Sequence, residues 1–261
     1  MQSVKTNIKD YQAAPDLLKD RVILITGAGQ GLGRAMSHAC AAHGATVILS
    51  GRQVVKLEAV YDEIVAAGGP EPVIFTTDLA TAQDKDYETI ASSIDWQLKR
   101  LDGIIHSASL FYNLSPLAIQ TSEQWLDLFR VNTLAPFALT RACEALLKRS
   151  PDASVVLVGE SHGHSPAAFW GGFAVSKAAM EAYLKIQAQE WEGQENLRIN
   201  MVIPGPIHSP QRSRTHPGEF KENLTKPEDL APYFLYLLGQ DGRASRGQVI
   251  NCRKGSGEQD Y

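Results

Sequence analysis

The sequence predicts an α/β protein: a doubly wound, mostly parallel sheet of about seven strands with helices on both faces. Three observations carry this prediction. Short apolar runs alternate with longer segments of helical period along nearly the whole chain. The apolar runs are near-continuous, the pattern of strands buried on both faces. The first run leads straight into a glycine-rich turn and then a helical segment, the junction from which such sheets are wound.

The first strand falls at 22–26, where Val22-Ile23-Leu24-Ile25 runs unbroken into Thr26. A helix at 31–43 follows the turn, then a strand at 46–50 carrying Thr46, Val47 and Ile48. Helix 54–67, strand 73–77, helix 84–100 and strand 103–107 continue the alternation. The segment 123–149 reads as one long helix, opened by the capping-box pattern of Thr121-Ser122-Glu123-Gln124. Strand 154–158, helix 173–191 and strand 198–203 come next. Residues 204–223, rich in Pro, Ser, Arg and His, read as an irregular, flexible loop. A second capping pattern, Thr225-Lys226-Pro227-Glu228, opens a helix at 227–238, and 248–251 supplies the last strand. Residues 253–261 and much of 1–15 read as polar tails. Neither a repeat nor a long linker divides the chain. One domain over 1–261 is therefore expected, with its core at about 20–251.

Composition excludes several function classes. A net charge of −4 gives no support for nucleic-acid binding as the main task. No apolar run reaches transmembrane length, and the polar N-terminus lacks the apolar stretch of a secretory signal. Cys40, Cys143 and Cys252 are far apart and follow no metal or redox spacing. They read as free thiols in a reducing cytoplasm, and no metal site is expected.

The turn after the first strand is Thr26-Gly27-Ala28-Gly29-Gln30-Gly31-Leu32-Gly33. Glycines let backbone N–H groups approach a diphosphate closely, and the following helix start adds a positive dipole end. Gly27, Gln30, Gly31, Leu32 and Gly33 are therefore candidate dinucleotide contacts. After the second strand come Gly51 and Arg52, where an NAD site usually places a carboxylate for the ribose hydroxyls. Gly51 cannot serve, whereas Arg52 could pair with a 2′-phosphate, so NADP(H) is favoured and NAD(H) is possible. The alternative for Arg52 is a solvated side chain starting a helix. Asp78 and Leu79 fall where an adenine edge would sit, though Asp78 could equally cap the next turn. Ser107 and Ala108 offer small side chains where a ribose could approach.

With Asn132 and Lys177, these motifs make the chain resemble the short-chain dehydrogenase/reductase family in its single-domain form. The resemblance runs from about residue 20 to about residue 251. The segment 26–33 is similar to the family's T-G-x-x-x-G-x-G loop. Ser107-Ala108-Ser109 is similar to its N-A-G, keeping only the Ala. Asn132 matches the family's helix asparagine. Pro204-Gly205-Pro206-Ile207 matches its P-G-x-I nicotinamide-binding turn, with Ser209 where Thr is usual. The resemblance implies a Rossmann-like fold, a bound dinucleotide and a small-molecule carbonyl or alcohol substrate. It also implies a substrate lid over 204–224. Lys177 would hold the nicotinamide ribose.

The chain departs from the family at its chemical centre. The family's proton-donating Tyr, four residues before the Lys, is Phe173. The family's Ser, thirteen residues before that Tyr, falls on Glu160, with Ser161 one position off. Positions 173 and 177 are one helical turn apart and share a face, but a phenyl ring does no acid–base work. Loss of a general acid typically costs about 10²–10⁴-fold in rate. Glu160 reads either as a replacement acid with a raised pKa in an apolar setting or as an inert partner of Lys177 or a nearby His. His162 and His164 flank Gly163 at the expected cleft mouth, and Tyr112 is a second candidate acid; Phe111, Tyr112, Phe169 and Trp170 could wall an aromatic pocket or equally serve as core packing. Arg212, Arg214, His216 and Lys221 would make the lid cationic.

Two readings follow. One is an NADP(H)-dependent oxidoreductase with an atypical proton donor. The other is a catalytically weak or inactive nucleotide-binding protein or redox sensor. A homodimer or homotetramer is expected through the long helices, on which Leu126, Phe129, Ala138, Met180, Tyr183 and Leu184 exceed what one buried face needs.

Overall fold

The computed structural model describes residues 8–252. Its strands are β1 (Val22–Thr26), β2 (Thr46–Gly51), β3 (Val73–Thr76), β4 (Gly103–His106), β5 (Ala153–Val158), β6 (Leu197–Ile203) and β7 (Val249–Asn251). They form one sheet in the order β3-β2-β1-β4-β5-β6-β7. Every pairing is parallel. This is the Rossmann-like α/β architecture the sequence predicts. The unbroken apolar strands have a direct cause. Ile23 and Ile25 of β1 pack into one core layer, and Val22 and Leu24 pack into the other.

Helices α1 (Gly31–Ala42) and α2 (Val54–Ala66) cover the first face through Met36, Leu57 and Ile64. Helix α3 (Asp84–Leu98) covers the second through Ile90 and Ile94. The strand order reverses between β1 and β4, so the loops leaving them diverge to opposite faces. A crevice opens there beyond the carboxyl ends of the strands.

The expected single helix at 123–149 is instead wound in three parts. Helix α4 (Ser122–Phe129) runs into a π-helical turn, Arg130–Leu134, and then into α5 (Ala135–Arg149). Pro136 supplies the reason. It has no N–H to give the Asn132 carbonyl four residues back, and its ring crowds that carbonyl, so α-winding cannot pass unchanged. The cap at Thr121 forms as expected, with Gln124 N donating to Thr121 Oγ1 at 3.2 Å and Thr121 N donating to Gln124 Oε1 at 3.1 Å. A single turn, α6 (Ser161–His164), precedes α7 (Gly171–Glu190). On these rods Ala138, Met180 and Leu184 are buried in the chain's own core. They are not surplus apolar surface. Phe129 and Tyr183 are half-buried, and Leu126 is 57% exposed.

Three further expectations need correction. The stretch 204–223 is not irregular: it holds α8 (Pro210–Thr215) and a 3-10 turn, Lys221–Asn223. Ser209 caps α8 by accepting from Arg212 N at 3.1 Å. The helix expected at 227–238 is a 3-10 turn, Pro227–Leu230, followed by α9 (Ala231–Leu238). Its cap slips one residue, with Lys226 N donating to the Asp229 carboxylate at 3.2 Å. Thr225 is drawn elsewhere, because its carbonyl accepts from His208 N in a bridge beside Ile207. Finally, residues 8–15 are not a free tail. Tyr11 stands edge-on to Tyr236 at 5.4 Å and donates to Asp241 at 2.9 Å. The remaining tail segments, 1–7 and 253–261, lie outside the described residues. Among the described residues no helix is long and apolar enough to cross a membrane.

Candidate active site

The crevice above β1 and β4 is a cleft of about 480 Å³, within the usual range of ligand pockets of about 300–1,000 Å³. The β1–α1 turn forms one wall. Gly27 sits at φ +69°, and a Cβ there would lie 2.9 Å from Ala108 Cα, so only glycine fits. A Cβ on Gly33 would lie 2.3 Å from the Gly27 carbonyl oxygen; Gly33 packs beneath the turn and does not line the cleft. Gly27, Gln30, Gly31 and Leu32 do line it.

The far end is basic. Arg52 lines the cleft, and so does Lys56, whose ammonium donates to Gln30 Oε1 at 2.6 Å. Lys56 was missed at the sequence level. Its only signal is its place in the first turn of the helix after β2, which becomes meaningful once Gln30 is seen facing it. Asp78 and Leu79 also line the cleft. Asp78 Oδ1 accepts from Ala80 N at 3.1 Å, so it caps the turn that follows β3.

Ser107, Ala108 and Lys177 occupy the middle, with Pro204, Gly205, Ile207 and Ser209 across from them. Lys177 is 4% exposed, and its ammonium donates to the Val158 carbonyl at 3.0 Å. Burial pushes its pKa down to about 8, against the opposing pull of the nearby Glu160 carboxylate. Asn132, at the π-turn, is fully buried behind this wall. It accepts from Leu110 N at 2.8 Å and donates to the Leu110 carbonyl and to Ser176 Oγ, both at 3.0 Å. It therefore ties the segment after β4 to α7 and does not line the cleft.

The near end is built from the segment after β5, the start of α7 and the end of α8. Glu160, Ser161, His162, Trp170, Phe173 and His216 all line it. Phe173 is 3% exposed and packs edge-on against Phe111 at 4.8 Å. The His162 ring stacks on Trp170 at 3.9 Å and 11°, and its Nδ1 lies 3.4 Å from Glu160 Oε1. Ser161 Oγ is buried with no partner among the described residues. His216, from the end of α8, lies 6.3 Å from Trp170.

Three candidates stand away from the cleft. His164 turns to Glu181 on α7 at 2.9 Å. Tyr112 does not reach the cleft, because its hydroxyl donates to Asp127 of α4 at 2.9 Å. Phe169 is 57% exposed. Segment 204–223 is also less cationic than its composition implies, since Arg212 is gripped by Glu219 through contacts of 2.6 and 2.8 Å.

A doubly wound parallel sheet, a glycine turn at its reversal point and a buried lysine on the adjoining helix define a Rossmann-like protein with a ligand cleft. A family model described as short chain dehydrogenase matches residues 21–219. The Escherichia coli K12 protein described as uncharacterized oxidoreductase YciK is 37% identical over 245 residues, 94% of this chain and 96% of that protein. A short chain dehydrogenase structure from Shigella flexneri has a TM-score of 0.92 at 36% identity, covering 97% of this chain and 98% of the other. A relative from Escherichia coli CFT073, solved in complex with NADPH, has a TM-score of 0.89 at 37% identity, covering 92% and 99%. The chain belongs to the short chain dehydrogenase family.

Proposed function

We propose that the protein is an NADP(H)-dependent oxidoreductase that interconverts a carbonyl and an alcohol on a small molecule. The carrying observation is a single continuous cleft, basic at one end with Arg52 and Lys56 and polar at the other with Glu160, Ser161 and His162. The donor set fits the dinucleotide. The β1–α1 turn presents backbone N–H groups for a diphosphate, the basic pair suits a 2′-phosphate, and Lys177 suits ribose hydroxyls. When bound, the nicotinamide would supply a hydride. NADPH in the Escherichia coli CFT073 relative supports the same preference here.

The test is loss of NADPH absorbance by the purified protein against a panel of aldehydes, ketones and quinones. Turnover supports the proposal. A second reading, nucleotide binding without turnover, is favoured by Phe173 alone. It expects NADPH binding, a silent unaltered protein, and turnover gained by the Phe173→Tyr, Glu160→Ser double variant.

A further inference from the structure

We propose that His162 is the proton donor of this site, with Glu160 as its positioning residue. This rests on the oxidoreductase reading above and deepens it. Four features of the near end converge on His162. Its ring is clamped flat on Trp170 at 3.9 Å and 11°. Its Nδ1 faces the Glu160 carboxylate at 3.4 Å. That leaves Nε2 with no protein partner among the described residues, on a side chain that lines the cleft. Beside it Ser161 Oγ is buried and unpartnered. Tyr112, held by Asp127, is not in reach, and Phe173 has no proton to give.

Charged and titratable groups face His162 from three elements. Glu160 faces it from its own loop at 3.4 Å. Lys177 on α7 lies within electrostatic reach of Glu160. From the lid, His216 senses both His162 and Glu160, with Arg212 and Glu219 paired alongside it.

The step balances as follows. Hydride adds to the carbonyl carbon, the π pair moves onto oxygen, and that oxygen takes the proton from His162 Nε2. The substrate is reduced to an alcohol and the dinucleotide is oxidised. His162, left neutral with Nδ1–H still donated to Glu160, regains its proton from water. Glu160 fixes the tautomer through the Nδ1 contact.

The test uses the full chain with NADPH and 4-nitrobenzaldehyde as the carbonyl probe. His162→Gln should lower kcat/KM by about 10²-fold or more, while NADPH affinity stays within about twofold. In the unaltered protein the reductive rate should fall as pH rises through the imidazole titration. Glu160→Gln should lower kcat with KM little changed, and Glu160→Asp should largely restore it. His164→Gln, whose ring faces α7, should leave the rate unchanged. A second readout needs no turnover. An imidazolium stacked on an indole quenches its fluorescence, so emission should rise with pH in the unaltered protein. That step should vanish in both Trp170→Phe and His162→Gln. Turnover that survives His162→Gln, or a fluorescence step that persists in it, overturns the donor assignment and leaves the oxidoreductase reading standing. No turnover by the unaltered protein with any carbonyl overturns both.

Discussion

At the scale of single residues, charge placement decides the cofactor prediction. Arg52 and Lys56 stand at the cleft end where a 2′-phosphate would lie. Hydrogen bonds to charged groups contribute roughly 1.5–3 kcal/mol each. Arg52→Ala and Lys56→Ala are each expected to weaken NADPH binding by about 10- to 100-fold and to leave NADH binding nearly unchanged, as read by fluorescence titration. Equal losses for both nucleotides would remove the argument. Lys177 makes a prediction about pH. Burial lowers its pKa from an ordinary 10.5 to about 8. Between those values the unfolded chain holds a proton that the folded chain has shed, so this residue's contribution to stability rises with pH across that window. Dinucleotide binding behaves oppositely, because an anion favours the ammonium. NADP⁺ affinity should fall as pH rises through about 8, and Lys177→Met should remove the inflection in an isothermal titration series.

At the scale of elements, the π-turn puts Asn132 where it can satisfy the backbone of Leu110 and the hydroxyl of Ser176 at once. Asn132→Ala would leave those buried groups unpaired. A loss of about 2–4 kcal/mol is expected, measured by urea denaturation, with nucleotide affinity falling less than stability. The sequence shows Asn132 as important but not why, since the turn depends on Pro136 breaking a helix whose apolar period looks continuous. The strands were legible almost to the residue because burial on both faces writes itself as unbroken apolar runs. The short helix α8 was not legible. It rests on a Ser209 cap and an Arg212–Glu219 pair seven residues apart, and neither has a periodic signature. In the site, one-dimensional spacing located the glycine turn, Lys177 and the Phe173 departure. It could not tell His162 from His164, because a one-turn helix sends two side chains only two residues apart into different surroundings.

At the scale of the whole molecule, a buried charge cluster joins distant parts of the fold. Asp152 pairs with Arg21 at 3.1 Å, with Arg198, and with Arg243 at 3.3 Å. Burial pushes the Asp152 carboxyl up, but the guanidiniums outweigh it and the net pKa is lowered from 3.8. Its stabilisation is therefore present above that ordinary value and lost as pH falls through the lower folded one. Asp152→Asn should destabilise the fold by roughly 3–5 kcal/mol, because Arg21 and Arg198 stay buried without their counter-charge. Acid-unfolding curves of the variant should be flatter below the ordinary carboxylate range. The helical rods also leave apolar surface outward: Leu126 at 57%, Leu134 at 52% and Ile186 at 57% exposure. A homodimer or homotetramer that covers them is our expectation. Light scattering that returns a monomer mass at micromolar concentration would contradict it.

The π-turn also fixes how this chain tolerates changes in length. One residue more than regular α-winding needs is stored at Arg130–Leu134. Deleting Thr133 would release that stored residue and let the rod wind evenly with α5 still in phase, whereas deleting Phe137 from the regular winding of α5 would rotate everything beyond by about 100°. Ala138, Leu139 and Leu146, now buried against the sheet, would swing toward solvent. The irregular winding is thus a phase setting between two halves of one helix: α4 keeps time with the Phe111, Trp170 and Phe173 cluster, α5 with the core, and no substitution at a single position can retune one against the other.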